Sequence, residues 1–262
     1  MRKFLCFATL LSVALTSFAK SGTNSPYSQY GLGQLSEESG GFNRGMNGLA
    51  LGFHEHNQVN HLNPASYSEI DSLTFIFDVG MSGQVTNFKE GGKKLNANNA
   101  DFEYAVAAFR AFRHLGVSFG ILPYTNVGYN YSQTVELNDG NKTVATNTYS
   151  GTGGIHLVYL GAGWQPLRGL SIGANVGYLW GGYTRTVVNS YSDSYANSLV
   201  KRYTADVRNY KLDFGLQYTA KLSKKDELTI GLSYSLGHEI GGEPLLEIVS
   251  QNTQTGVADT TS

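Results

Sequence analysis

From Leu73 onward the chain keeps returning to a two-residue period. Leu170, Ile172, Ala174, Val176, Tyr178 and Trp180 alternate with Ser171, Gly173, Asn175 and Gly177. Leu212, Phe214, Leu216, Tyr218, Ala220 and Leu222 alternate with Lys211, Asp213, Gly215, Gln217, Thr219 and Lys221, and Leu228 to Gly237 repeats the pattern. Leu73, Phe75, Phe77, Val79, Met81 and Val85 share one face of an earlier segment, with Ile76 breaking its order. Alternation of this kind is the signature of strands with two unlike faces. The second face carries Lys, Asp, Asn and Gln, which a soluble sandwich core would not accept without partners, whereas a wet or plugged lumen would. The apolar runs last about ten residues, the length of a tilted transmembrane strand. No apolar run after residue 19 is long enough for a spanning helix, so a membrane protein of this kind must cross as a barrel.

Composition agrees with a β-rich chain. Of 262 residues, 32 are Gly, 17 Tyr and 13 Phe, and only 15% are charged. Arg2 and Lys3, an apolar run from Phe4 to Leu15 and the Ser17-Phe18-Ala19 ending read as a secretory signal peptide over residues 1–19. The single cysteine, Cys6, lies inside it, which leaves no thiol chemistry and no disulfide after cleavage. Without Arg2 and Lys3 the 19 basic residues become 17, against 20 acidic ones, so the charge gives no reason to expect nucleic-acid binding.

Strands are expected near 73–88, 101–113, 116–136, 143–165, 169–188, 200–222 and 227–245, about seven in all over residues 72–247. Short links at 113–116, 165–169 and 222–227 alternate with longer polar links at 88–100, 137–142 and 189–199, the asymmetry of an outer-membrane barrel. Single-chain bacterial barrels have even strand numbers. Either the count is off by one, or the chain is about half of a larger barrel. The second reading is preferred, with 248–262 a loop-like tail at the truncation point. Tyr178, Trp180, Tyr203 and Tyr210 stand where an interfacial aromatic girdle would.

Residues 20–71 are punctuated by Gly, Ser and Asn, too long for an ordinary connection, and so expected to plug the lumen, with a short helix at Gly45–Leu51. Within them, His54, His56 and His61 are the one cluster with metal-ligand chemistry. No thiol supports it and Glu55 points the other way in an extended segment, so a polar loop without metal is the reading. Asn175, Lys211, Asp213 and Gln217 face the lumen by the alternation, where they line a passage or satisfy one another. Pro123 interrupts a strand and so marks an edge or bulge. His114, His156 and His238 lie in or beside strands, but no serine has a nucleophile context, so neither enzyme activity nor a cofactor is expected.

"NSPYSQYGLGQL", "RGMNGLALGF" and "NHLNPASYSEIDSLTF", with "LGVSFGILPYTNVGYNYS" and "GTGGIHLVYLGAGWQPLRGLSIGANVGYLWG" further on, resemble outer-membrane proteins of the FadL-like superfamily in their Bacteroidetes form. The resemblance runs from residue 24 to about 240. It implies a fourteen-stranded transmembrane antiparallel barrel in the bacterial outer membrane, with an N-terminal hatch braced by Asn63, Pro64 and Ala65. It also implies a lateral gate marked by Pro123 and Tyr124. The function implied is passage of hydrophobic, fatty-acid-like compounds, the partners being outer-membrane lipid and that ligand. Two alternatives stay open: a secretion-associated barrel similar to PorV, with secretion components as partners, and a small structural barrel of eight strands.

Overall fold

The computed structural model describes residues 23–90, 92–138, 142–193, 195–252 and 254–261. The signal-peptide reading of residues 1–19 lies outside them. The chain forms one antiparallel sheet of ten strands. β1 is Gln34–Leu35, β2 Phe75–Glu90, β3 Lys93–Phe112, β4 Leu115–Glu136, β5 Val144–Leu167, β6 Leu170–Tyr191 and β7 Ser198–Lys221. β8 (Glu227–Ser235), β9 (Gly242–Gln251) and β10 (Ala258–Thr261) complete it. The order is β10-β9-β7-β6-β5-β4-β3-β2, with β1 on β4 and β8 on β7. β2 and β10 end the sheet, so the expected barrel is not closed among the described residues.

Four elements depart from expectation. Residues 88–100 form no long link: β2 and β3 pair down to Glu90↔Lys93, and Gly92, at φ +82°, makes the tight turn. The expected strand 227–245 is two strands lying end to end on β7. β8 pairs Asp213–Lys221 and β9 pairs Ser198–Val207. In the gap His238 stacks on Tyr210 at 4.2 Å, and Asn209 bonds both the His238 ring and the Glu239 carbonyl. The tail expected as loop holds the end of β9 and all of β10, paired through Ala258↔Gln251. A helix does form in the N-terminal segment, but as α1 at Gly41–Gly45. Asn47 and Gly48, both at positive φ, end the turns that follow it, so Gly45–Leu51 cannot continue as helix.

The two sheet faces are unlike. The outer face carries exposed apolar side chains such as Phe77, Leu160, Val176, Phe214 and Ile230. They form a band that takes in residues 210–218 of β7 and 158–164 of β5. On β7 it runs from Tyr218 to Tyr210 and then gives way to Arg208, Asp206 and Thr204. On β5 it runs from Trp164 to Val158, and Thr152, Ser150 and Thr148 follow. On β7 tyrosines stand at both limits of the band, and its depth there is about that of a tilted strand's apolar stretch in a barrel wall. β5 and β7 are 24 residues long, so they project well beyond the band at their long-loop end.

Residues 23–71 pack on the inner face. The core lies between them and the sheet, with Val59, Tyr67 and Ile70 from the segment against Val106, Leu122, Ile155, Leu157 and Tyr159 from the strands.

Candidate functional site

The hatch-like segment sits in a groove made of missing side chains. Gly116 of β4 pairs with Gly163 of β5, Gly163 with Gly173 of β6, and Gly173 with Gly215 of β7. Arg110 continues the row on one side and Ser233 on the other. A Cβ on any of the four glycines would strike the segment: on Gly116 it would lie 1.8 Å from the Tyr67 carbonyl oxygen, on Gly163 2.3 Å from that of Pro64. On Gly173 it would meet the Pro64 carbonyl carbon at 2.3 Å, and on Gly215 the Asn63 Oδ1 at 2.1 Å. The row therefore admits backbone where side chains would otherwise be.

What lies in the groove is the 3₁₀ turn Pro64–Glu69, started locally by Asn63 and Pro64. Asn63 stays extended at φ −133°, as the residue before proline prefers, and its Oδ1 accepts from Ala65 N–H at 3.2 Å as the N-cap. Pro64 takes the first turn position, where an N–H would have no partner. Asn63 Nδ2 then donates to the carbonyls of Leu51 (2.7 Å), Leu216 (3.3 Å) and Leu232 (3.4 Å). One fully buried side chain thus ties the turn to itself, to the preceding loop and to β7 and β8. Asn63, Pro64 and Ala65 are all buried at this contact.

Polar residues of the wall complete the seat. Asn175 accepts from the Tyr67 hydroxyl at 3.1 Å and donates to the His61 carbonyl at 3.0 Å. Burial pushes the Tyr67 phenol well above its ordinary pKa, so it remains a neutral donor. Ser68 bonds Ser171 at 2.8 Å, and Ser233 donates to the Leu62 carbonyl at 2.9 Å. Gln217 donates to the Leu51 and Phe53 carbonyls at 2.9 and 3.0 Å. At the far side Arg44 of the segment reaches Glu103 of β3 at 2.8 Å.

Lys211 and Asp213 also lie on this face, 2.9 Å apart, with Glu38 of the segment 3.5 Å from the ammonium. They edge a cavity of about 260 Å³ with His61, Tyr159 and Asn175. So of the four residues expected in the lumen, Asn175 and Gln217 bond the segment directly, Lys211 reaches it through Glu38, and Asp213 pairs with Lys211 and accepts from Ser235 of β8.

Pro123 is buried two residues beyond Ile121, where β3 and β4 last pair, and the register shifts between Pro123 and Thr125. Past that point β3 no longer flanks β4. β1 does, through Gln34↔Asn126 and Leu35↔Thr125, and Ser36 N–H donates to the Tyr124 carbonyl at 3.0 Å. The place read as a gate is filled by the chain's own strand.

The three histidines separate. His56 is exposed beside Glu55 and Asp71, at 3.6 and 4.0 Å, His54 is half-buried, and His61 is buried against Tyr159. No group of three potential metal ligands converges among the described residues. Burial holds the His61 ring neutral, its pKa lowered to about 4.

A family model described as BamG matches residues 1–261. The chain belongs to the BamG family. BamG is a family of the BAM outer-membrane assembly complex, and the bacterial outer membrane is this chain's location. No curated protein and no solved structure matches it. The BamG match overturns the FadL-like assignment and, with it, the transport of hydrophobic compounds. The stretches that carried that assignment are a Gly- and Asn-rich plug and alternating strands, which barrel walls share for reasons of packing and lipid exposure rather than of cargo.

The sequence contained the glycine row without showing it. Each of the four glycines falls on the polar side of its strand's alternation, but only the cross-strand register brings them side by side.

Proposed function

We propose that this BamG-family chain is a non-catalytic, membrane-embedded scaffold subunit of the outer-membrane assembly machinery. Its sheet lies in the bilayer with the apolar band toward lipid, and its edges pair into a closed barrel. The cost of unpaired strand edges in hydrocarbon and the depth of the band support insertion and closure. The observation that carries the scaffold reading is the seat of Asn63, Pro64 and Ala65. The inner face at the depth of the apolar band is occupied by backbone bonded to the strands, which suits a rigid body offering surfaces to partners more than a conduit. The family supports the class of partner, namely components of the assembly machinery.

The test is affinity purification of the tagged protein from outer membranes in mild detergent, with depletion in parallel. Assembly-complex components should co-purify stoichiometrically, and depletion should lower the levels of other outer-membrane proteins. Recovery of the protein alone, with those levels unchanged, would sink the reading.

A further inference from the structure

Beyond the apolar band the inner face changes character. Tyr129, Tyr131, Tyr149, Tyr183 and Tyr203 all point inward there, by the same alternation that puts Gly163, Gly173 and Gly215 inward lower down. The Tyr131 and Tyr149 rings stack at 5.1 Å, and Tyr183 and Tyr203 lie 6.2 Å apart. The 3₁₀ turn Pro26–Gln29 covers one side, and Tyr131 donates to Gln29 Oε1 at 2.7 Å. Between them is an open cleft of about 370 Å³, lined by Tyr30, Tyr129, Tyr149, Tyr203, Arg185 and Lys201.

The cleft is cationic without compensation. No carboxylate lines it among the described residues, and neither Arg185 nor Lys201 is in an ion pair there. Arg185 lies over the Tyr183 ring at 4.4 Å and reaches the Gly31 carbonyl, which orders its guanidinium but leaves its charge unneutralised. Inward rings are not the outward girdle that would anchor a barrel in lipid. The cleft also lies past the lipid-facing band, at the end with the longer links, the external end of such a barrel.

We infer that this cleft binds an anionic saccharide, with sugar C–H faces laid on the tyrosine rings and a phosphate or carboxylate held by Arg185 and Lys201. Aromatic faces suit a flat, partly apolar body, and a planar guanidinium beside an ammonium suits an oxyanion. An apolar ligand would bury both cations without a partner, and a neutral sugar would leave them unused. The ligand class does not depend on the scaffold reading; only the external placement of the cleft rests on the membrane insertion proposed above.

The test is calorimetric titration of the full native protein in detergent with N-acetylglucosamine 1-phosphate, N-acetylglucosamine, inorganic phosphate and an acidic peptide. The sugar phosphate should bind at least about tenfold more tightly than any of the others. Arg185→Gln and Lys201→Gln should each weaken it by about tenfold. Tyr149→Ala should weaken it similarly while Tyr149→Phe restores it, since the ring face and not the hydroxyl is used. Each variant is first checked for the wild-type heat-dependent gel shift, which reports a folded sheet. A further arm compares a phosphorylated glycolipid in mixed micelles with its delipidated saccharide. Tighter binding of either supports the inference and assigns its source, membrane-linked or free. Equal binding of inorganic phosphate, equal binding of the acidic peptide, no binding of the sugar phosphate, or indifference to all three alanine and glutamine changes would overturn it.

Discussion

The same three strands build the inner face of the sheet in two opposite ways. Low on the inner face, β5, β6 and β7 contribute Gly163, Gly173 and Gly215, and the 3₁₀ turn Pro64–Glu69 fills the space they leave. High on the same face they contribute Tyr149, Tyr183 and Tyr203, and the N-terminal segment only roofs one side. An interior can be filled by its own side chains or by inserted backbone, but not by both at one level. Where backbone enters, every polar group it brings needs a partner, which is why Asn63, Asn175, Gln217, Ser171 and Ser233 gather there. Where side chains fill, rings stack and an open, charged cleft remains.

The largest effect should come from putting volume into the lower level. Gly173→Val places side-chain atoms where the Pro64 backbone now lies, with no flexible neighbour to give way. The turn should leave its seat at a cost of about 3 kcal/mol or more. Limited proteolysis should then cut residues 23–71, which should stay protected in the wild type; full protection in the variant would break the comparison. A valine at Gly83, with nothing near its Cβ, should leave the protein intact.

Acid should act at the lower level too. His61 titrates near 6.5 in an unfolded chain and near 4 when buried. Between these values the unfolded state binds a proton that the folded state does not, so stability is full above pH 6.5 and falls as the pH drops toward 4. The total loss is on the order of 3 kcal/mol. Denaturant midpoints measured from pH 7.5 to 4 should show this slope, and His61→Phe should flatten it. An unchanged slope would mean the ring is solvated.

Asn63→Ala removes three donated bonds and one cap at once, leaving Gln217 as the remaining side-chain donor to the Leu51 carbonyl. It should cost about 1–3 kcal/mol and speed amide exchange in residues 64–69. The smallest effect belongs to the upper level: Tyr149→Ala should change stability by less than about 1 kcal/mol, because the open cleft can relax around the change. A loss as large as that of Asn63→Ala would show that the two levels are one cooperative unit.

Much of the wall was legible in sequence, because a period of two reports which face each side chain takes and little else is needed to recognise a strand. β4 to β7 lie within two residues of their expected bounds at most ends. That residues 20–71 are no ordinary link was legible from their length and their Gly and Asn content, and the extended shape of Asn63 from the proline that follows it. Links were less so. The Asn- and Lys-rich stretch before Asp101 looks like a loop until β2 and β3 are seen to pair along it as far as Glu90↔Lys93. Identity was misread, since alternation and plugging arise in any barrel wall and carry no mark of the task performed.

Local sequence thus determined which residues point inward, where the turn at Pro64 begins and how deep the apolar band runs, since each depends on neighbours a few positions away. Register was decided only in three dimensions. Gly116, Gly163, Gly173 and Gly215 are spread from position 116 to 215 and unremarkable singly; they become a seat because strand pairing places each directly beside the next. The inward tyrosines become a cleft around Arg185 and Lys201 for the same reason. Register is fixed by the summed pairing and burial of whole strands, a quantity that no short window of sequence contains.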